Sequence, residues 1–200
     1  MGHAALLRPM SASEFLAWDA SQTVKYEFVQ GEIFAMSGAG EAHVTVALNL
    51  AMVLRQHLAG TPCRTFISDM KLRVDTADAY FYPDVMVTCS AADAGSPLIK
   101  REASLVVEVL SPATAAYDRG DKFAAYRQLP SLREYLVVDT RSRRCDLHRL
   151  NELGQWVLYS FDAAQGVELA SVALRVSADV LWAEVPVETV ETPSEHRREV

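Results

Sequence analysis

One stretch of the chain decides the fold: residues 105–138, LVVEVLSPATAAYDRGDKFAAYRQLPSLREYLVV. It begins and ends with runs rich in Val and Leu, which predict two buried strands. Between them, Lys122, Phe123 and Tyr126 lie within reach of one another on a helix that we predict over residues 118–128. A strand, a helix and a strand within about 35 residues form a βαβ unit, whose crossover is expected to be right-handed.

A single carboxylate interrupts each of two apolar strands. Glu108 lies in the first strand of the βαβ unit, and Asp84 lies in an earlier extended segment, residues 81–88. An ionised carboxylate among such neighbours is costly unless it is paired, protonated or bound to a metal. We therefore predict that Asp84 and Glu108 share a divalent cation. The alternative is a structural role, in which both pair with Lys or Arg to fix strand ends.

The rest of the chain predicts a sheet with covering helices. Ser11, followed three residues later by Glu14, caps a short helix, and Gln30-Gly31 marks a two-residue hairpin turn. We predict further helices over residues 41–58 and 177–184, and extended segments over residues 65–74 and 81–88. A second hairpin is predicted over residues 144–161. The sum is a mixed α/β sheet, in which antiparallel strands lead into one parallel unit with a carboxylate at its end.

The composition of the chain limits the classes of protein to which it can belong. Half of the 200 residues are hydrophobic, which suits one domain over residues 1–185, followed by a flexible tail over residues 186–200. No run approaches the roughly 20 apolar residues that cross a bilayer, and no signal peptide is recognised, so we expect a cytoplasmic protein that does not contact membranes. The formal net charge of −7 argues against binding nucleic acid by bulk electrostatics.

The three cysteines, Cys63, Cys89 and Cys145, are far apart in the chain. They form no Cys-x-x-Cys pair, so the pattern suggests neither a disulfide framework nor a structural zinc site. We expect buried free thiols.

Several short motifs together resemble a known family. They are Tyr26-Glu27-Phe28-Val29-x-Gly31-Glu32, Tyr82-Pro83-Asp84, Glu108-Val-Leu-Ser-Pro112, Asp118-x-x-x-Lys122-x-x-x-Tyr126 and Glu134-Tyr135-Leu136-Val137-Val138-Asp139. The spacing of the two carboxylates resembles that of the PD-(D/E)xK nuclease superfamily. More narrowly, the ensemble is similar to the Uma-two (Uma2) family of restriction-endonuclease-like proteins. The resemblance covers roughly residues 11–182, which is nearly the whole of a domain of the usual size.

The resemblance implies a fold, an activity and a set of catalytic residues. The fold would be a restriction-endonuclease-like α/β mixed sheet flanked by helices, and the activity a Mg²⁺-dependent cleavage of DNA, with Mn²⁺ as a substitute and a homodimer as the assembly. Asp84 and Glu108 would hold the metal together with the backbone carbonyl of Val109. The superfamily's lysine is replaced by Leu110, and the resemblance implies that Lys122 delivers its ammonium to the same pocket.

Four residues are candidates for an accessory role: Glu32, His43, Lys71 and Tyr126. Glu32 or Glu27 could add an acidic ligand from the first hairpin, although strand glutamates more often face solvent. His43, at a helix start, could bind phosphate or metal, and the alternative is a core histidine with internal partners. Lys71 could reach a substrate phosphate unless its strand face is simply solvated. Tyr126 belongs to the helix motif of the resemblance.

A basic cluster lies late in the chain and consists of Arg141, Arg143, Arg144, His148 and Arg149. It could steer a nucleic-acid backbone toward the site, or it could protect an edge strand. Two alternatives to a nuclease also remain open. The missing lysine and the acidic charge favour a catalytically inactive module for nucleic-acid or protein binding, and the acidity also fits a metal-dependent hydrolase of a small phosphorylated substrate.

Overall fold

A computed structural model of the protein describes residues 9–36 and 38–186. Apart from Pro186, the tail predicted over residues 186–200 lies outside the described residues. Within them the chain forms a five-stranded sheet, a six-stranded sheet and a small two-stranded sheet, with helices packed against the larger two. The predicted fold class, an α/β mixed sheet flanked by helices, is confirmed.

Strands and helices are numbered in chain order. The strands are β1 (Tyr26–Val29), β2 (Glu32–Ala35), β3 (Arg64–Ile67), β4 (Lys71–Val74), β5 (Ala79–Phe81), β6 (Val85–Thr88), β7 (Ile99–Lys100), β8 (Ala103–Val109), β9 (Glu134–Asp139), β10 (Arg144–Leu150), β11 (Trp156–Phe161), β12 (Val167–Leu169) and β13 (Leu174–Val176). The helices are α1 (Ala12–Asp19), α2 (Glu41–His57), α3 (Ala115–Tyr117), α4 (Phe123–Tyr126) and α5 (Ala178–Leu181), with a π-helical turn, Asp118–Lys122, between α3 and α4.

Local sequence accounts for the first elements. The hydroxyl of Ser11 accepts a hydrogen bond from the backbone N–H of Glu14, whose carboxylate accepts one from the N–H of Ser11, so α1 begins at the predicted capping box. Gln30 and Gly31 have φ angles of 49° and 92° and form the turn of the β1–β2 hairpin. Both predicted features are confirmed.

The six-stranded sheet contains the predicted βαβ unit. Its order is β11-β10-β9-β8-β6-β3, with β8 and β9 parallel and the other neighbours antiparallel. α3, the π-helical turn and α4 connect β8 to β9. The apolar face of α2 packs on one face of this sheet, and the connecting helix packs on the other. Side chains alternate along β8, so Glu108 points to the same face as Val106, toward the connecting helix.

Two segments that we predicted as continuous strands are each divided between the two large sheets. Residues 65–74 turn at residues 68–70, and residues 81–88 are interrupted at residues 82–84. β3 and β6 join the six-stranded sheet, whereas β4 and β5 join the five-stranded sheet, whose order is β2-β1-β5-β4-β7. Pro83 has no backbone N–H to donate to a ladder, and the interruption there places Asp84 just before β6 instead of inside a strand.

The expectation of three free thiols is wrong for two of them. Cys63 and Cys89 form a disulfide, and only Cys145, which is buried, remains free. The cause is the antiparallel pairing of β3 with β6, in which Arg64 lies opposite Thr88, so that the residues just beyond them face each other. Spacing along the chain does not reveal such a long-range strand register.

Candidate active site

Asp84 lies where the chain passes from one large sheet to the other. One carboxylate oxygen accepts a hydrogen bond from the backbone N–H of Val109 at 2.7 Å, and the other lies 3.0 Å from Nε2 of His43. Val109 ends β8 and His43 belongs to the first turn of α2, so two separate elements hold this carboxylate. The Asp84 side chain is 14% exposed, because it lines an open cleft.

Glu108 is buried beside Asp84 and is held by the connecting helix. Its Oε1 accepts hydrogen bonds from Nζ of Lys122 at 3.2 Å and from the hydroxyl of Tyr126 at 2.8 Å. Lys122 ends the π-helical turn, and Tyr126 follows one turn later in α4. Turns of π-helix within α-helices occur frequently at functional sites. Burial raises the pKa of Tyr126 well above its ordinary value, as does the charge of Glu108, so the phenol keeps its proton and donates.

Lys122 is enclosed by carboxylates. Its Nζ lies 3.0 Å from Glu27, 3.2 Å from Glu108 and 3.5 Å from Asp118, and all four side chains are at most 8% exposed. Burial alone would lower the pKa of Lys122. The three carboxylates raise this pKa by more than burial lowers it, so it lies well above the ordinary value of a lysine. The ammonium therefore keeps its charge at any pH at which the protein works.

The cluster carries more negative than positive charge. Burial raises the pKa of Glu108 well above its ordinary value, and the neighbouring Asp84, Asp118 and Glu27 raise it further against the opposing effect of Lys122. A carboxyl group in this position is stabilised either by keeping its proton or by binding an additional cation.

The hairpin acid at the cluster is Glu27, whereas we favoured Glu32 as an accessory ligand. Glu27 lies opposite Phe34 and Glu32 lies opposite Val29, so alternation does put both glutamates on one face of the hairpin. Glu32, however, lies beside the turn and is exposed, at the far end from Lys122. This preference is corrected, because the face alone does not fix the position along the strand.

The other accessory candidates fall in different places. His43 contacts Asp84, and Tyr126 contacts Glu108. Lys71 instead pairs with Asp19 at 2.9 Å, outside the cluster. Asp118 was part of a quoted motif but received no role; its position four residues before Lys122, on one helix face, was the available signal.

Three members of the basic cluster have internal partners. Arg149 pairs with Glu134 at 2.7 Å, and Arg143 donates to the carbonyl of Val185 at 2.8 Å. His148 stacks on Phe123 with ring centroids 4.0 Å apart, and burial lowers its pKa. These contacts favour a structural role for the three residues over the steering of nucleic acid.

A cleft of about 1150 Å³ leads from the surface to Asp84 and Glu108. Its walls are formed by residues of α2, β2 and β3 and by residues 23–25. This volume lies somewhat above the roughly 300–1,000 Å³ of typical small-molecule pockets.

The donor set fits a water-rich magnesium site. Mg²⁺ is usually bound by one or two carboxylates and keeps several water ligands, and Asp84 and Glu108 supply two such groups in an acidic surrounding. In residues 9–36 and 38–186 no group of three His, Cys, Asp or Glu side chains is arranged to hold an ion. Water and substrate would therefore have to complete the coordination.

Comparison with known proteins identifies the family. The family model Uma2, described as "Putative restriction endonuclease", matches residues 12–180. The chain belongs to the Uma2 family. This confirms the resemblance recognised from the sequence motifs.

Two similar proteins come from Synechocystis sp., and each is described as an uncharacterized protein. The relative slr1290 is 38% identical over 173 residues, which cover 86% of this chain and 91% of the relative. The relative sll1609 is 35% identical over 151 residues, covering 74% and 85% of the two chains. Both alignments therefore span most of each protein.

A solved structure shows the same fold. It is a crystal structure from Anabaena variabilis described as "a putative nuclease belonging to DUF820", with a TM-score of 0.74 and 17% identity, covering 87% of this chain and 98% of that chain. The Uma2 protein described here therefore has a nuclease-like fold. Its described helices include none with the length and hydropathy needed to cross a bilayer.

Proposed function

We propose that this Uma2 protein is a Mg²⁺-dependent nuclease that hydrolyses phosphodiester bonds in DNA, with Asp84, Glu108 and Lys122 as its catalytic residues. One observation carries the proposal: the carboxylate of Asp84, just before β6, the carboxylate of Glu108 in β8 and one buried ammonium meet in an open cleft. The excess of negative charge there favours a divalent cation, and the cleft is open enough to admit a polymer.

The contacts around the carboxylates suggest how the site is prepared. Val109 and His43 orient Asp84, and Tyr126 orients Glu108, so both carboxylates are positioned before substrate binds. The carbonyl of Val109 is our candidate for a further metal ligand. When bound, Mg²⁺ or Mn²⁺ would supply positive charge to the scissile phosphate and acidify the attacking water.

Lys122 has an electrostatic role in this mechanism. Its raised pKa excludes it as a general base, because it does not release its proton near neutral pH. Its ammonium instead donates hydrogen bonds that orient the water or offset charge that develops on the phosphate. Leu110, in the place of the superfamily lysine, packs in the apolar core beside Tyr126, which supports Lys122 as the replacement.

We also propose that the protein is cytoplasmic and forms a homodimer. β11 is one of the two edge strands of the six-stranded sheet, and its sequence WVLYSF has no charge, proline or glycine. Natural proteins usually protect a free edge with charges or proline, and two identical edges can pair antiparallel about a twofold axis. Light scattering of the wild type and of a Leu158→Lys variant tests this contact, because the lysine should yield monomers.

The chief alternative is a catalytically inactive binding module. It is favoured by the internal hydrogen bonds of both carboxylates, which already satisfy part of their bonding capacity. A cleavage assay separates the two functions. DNA is incubated with the wild type, Asp84→Asn or Glu108→Gln, with Mg²⁺ or with EDTA. Hydrolysis that needs Mg²⁺ and disappears in both folded variants supports the nuclease, whereas DNA binding without hydrolysis favours the module.

A further inference from the structure

The walls of the cleft are apolar. α2 presents Val44, Leu48 and Met52, spaced one turn apart and 53–55% exposed, to the cleft. Val24 and Ile67, each about half exposed, line it as well. Clustered exposed apolar side chains mark a binding surface, and this cluster is continuous with the carboxylates.

The described lining of the cleft offers little positive charge for a phosphate backbone. Of its three cations, Lys25 pairs with Asp69, Lys122 is enclosed by carboxylates, and Arg55 lies toward the end of α2. The acidic residues of the same lining are Glu27, Asp69, Asp84, Glu108 and Asp118. A surface that grips duplex DNA carries clustered Lys and Arg, and this cleft has no such cluster among its described residues.

Two aromatic side chains lie near the carboxylates. Phe34 of β2 and Tyr117 of α3 have ring centroids 6.4 Å apart, and both are partly exposed in the cleft. Tyr117 is within reach of the ammonium of Lys122, which lies 6.0 Å from its ring centroid. Aromatic rings next to a backbone-binding groove are the usual platforms on which unpaired bases stack.

We infer that the substrate is single-stranded DNA, or an unpaired segment of it, whose bases pack on the apolar walls while the backbone crosses Asp84 and Glu108. This inference rests on the proposed nuclease function. Whatever places a phosphodiester at the carboxylates must place the adjacent sugars and bases against α2 and β3. Both forms carry charged phosphates, but a duplex keeps its base faces stacked inside, whereas a single strand also presents flat base surfaces that can pack on the apolar walls and rings.

The test measures binding of one labelled oligonucleotide, as a single strand and as a blunt duplex, by fluorescence anisotropy with Ca²⁺ in place of Mg²⁺. We expect the single strand to bind at least about tenfold more tightly, the effect of one well-stacked base. The double variant Leu48→Ser/Met52→Ser should bind the single strand about tenfold more weakly than the wild type does. Leu98→Ser is the matched control, because Leu98 is 72% exposed but does not line the cleft.

The outcomes separate this inference from the proposed function. Tighter binding and Mg²⁺-dependent cleavage of the duplex would overturn the single-strand inference and leave the nuclease intact. Tight single-strand binding that depends on Leu48 and Met52, without hydrolysis of either substrate, would support the binding inference and contradict the nuclease. Unchanged affinity in the double variant, or no binding of either oligonucleotide by the folded wild type, would overturn the inference.

Discussion

Replacement of Lys122 by Met should destabilise the protein strongly, and more so as the pH rises. The variant keeps the volume of the side chain but leaves Glu27, Glu108 and Asp118 without their shared cation. Removal of one partner from a buried ion pair costs about 3–5 kcal/mol. All four side chains are at most 8% exposed, so solvent screening reduces this cost little.

The dependence on pH follows from the raised pKa of Glu108. A carboxyl group whose pKa is higher in the folded than in the unfolded state contributes stability below its unfolded pKa, and this contribution is lost as the pH rises through the folded value. Without Lys122 the pKa of Glu108 rises further, because the opposing charge is gone. Protonation of Glu108 at lower pH therefore relieves part of the destabilisation, and its ionisation as the pH rises brings the full destabilisation back.

Thermal and urea unfolding of Lys122→Met beside the wild type, at mildly acidic and mildly alkaline pH, measures both effects. We expect a loss of about 6–20 °C in Tm at alkaline pH and a smaller loss at acidic pH. Lys25→Met is the control, because the side chains of Lys25 and its partner Asp69 are 42% and 78% exposed, and it should cost about 1 kcal/mol or less. Addition of Glu108→Gln should restore part of the stability. A Lys122→Met protein as stable as the wild type at alkaline pH would refute the reasoning.

Three further outcomes are expected. Tyr126→Phe removes the hydroxyl that donates to Glu108 and should cost about 1.5–3 kcal/mol in urea unfolding; an unchanged midpoint would contradict that bond. Reduction of the Cys63–Cys89 disulfide should cost about 2–4 kcal/mol, measured by unfolding with and without dithiothreitol, and no difference would argue against the bond. Cys145 should resist alkylation in the folded protein, since burial raises the pKa of its thiol to about 12; rapid labelling by iodoacetamide would show that it is accessible.

The parts of the fold that sequence predicted are those set by short-range patterns. The capping box at Ser11, the Gln30-Gly31 turn and the βαβ unit each depend on residues that lie close together in the chain. The division of two predicted strands between two sheets depends on which partner each half finds, and Pro83 was the one local signal for it. The disulfide was missed for the same reason, because it follows from the register of β3 on β6.

The candidate site was predicted in part. Buried carboxylates are visible as charges within apolar runs, and this signal located Asp84 and Glu108. Sequence could not show which hairpin glutamate faces the cluster, since Glu27 and Glu32 share one face and differ only in their distance from the turn. The apolar walls of the cleft also escaped prediction, because Val44, Leu48 and Met52 belong to a helix whose opposite face supplies the core.

Mn²⁺ binding by calorimetry tests the central claim, the shared metal site, without any need for the correct substrate. The titration compares the wild type with Asp84→Asn and Glu108→Gln, each confirmed to be folded by its unfolding midpoint. We predict saturable binding in the wild type and a loss of binding in both variants, because either substitution removes one of the two carboxylate ligands. Absence of binding by the wild type, also with DNA present to complete the coordination, would contradict the account and make the two carboxylates structural.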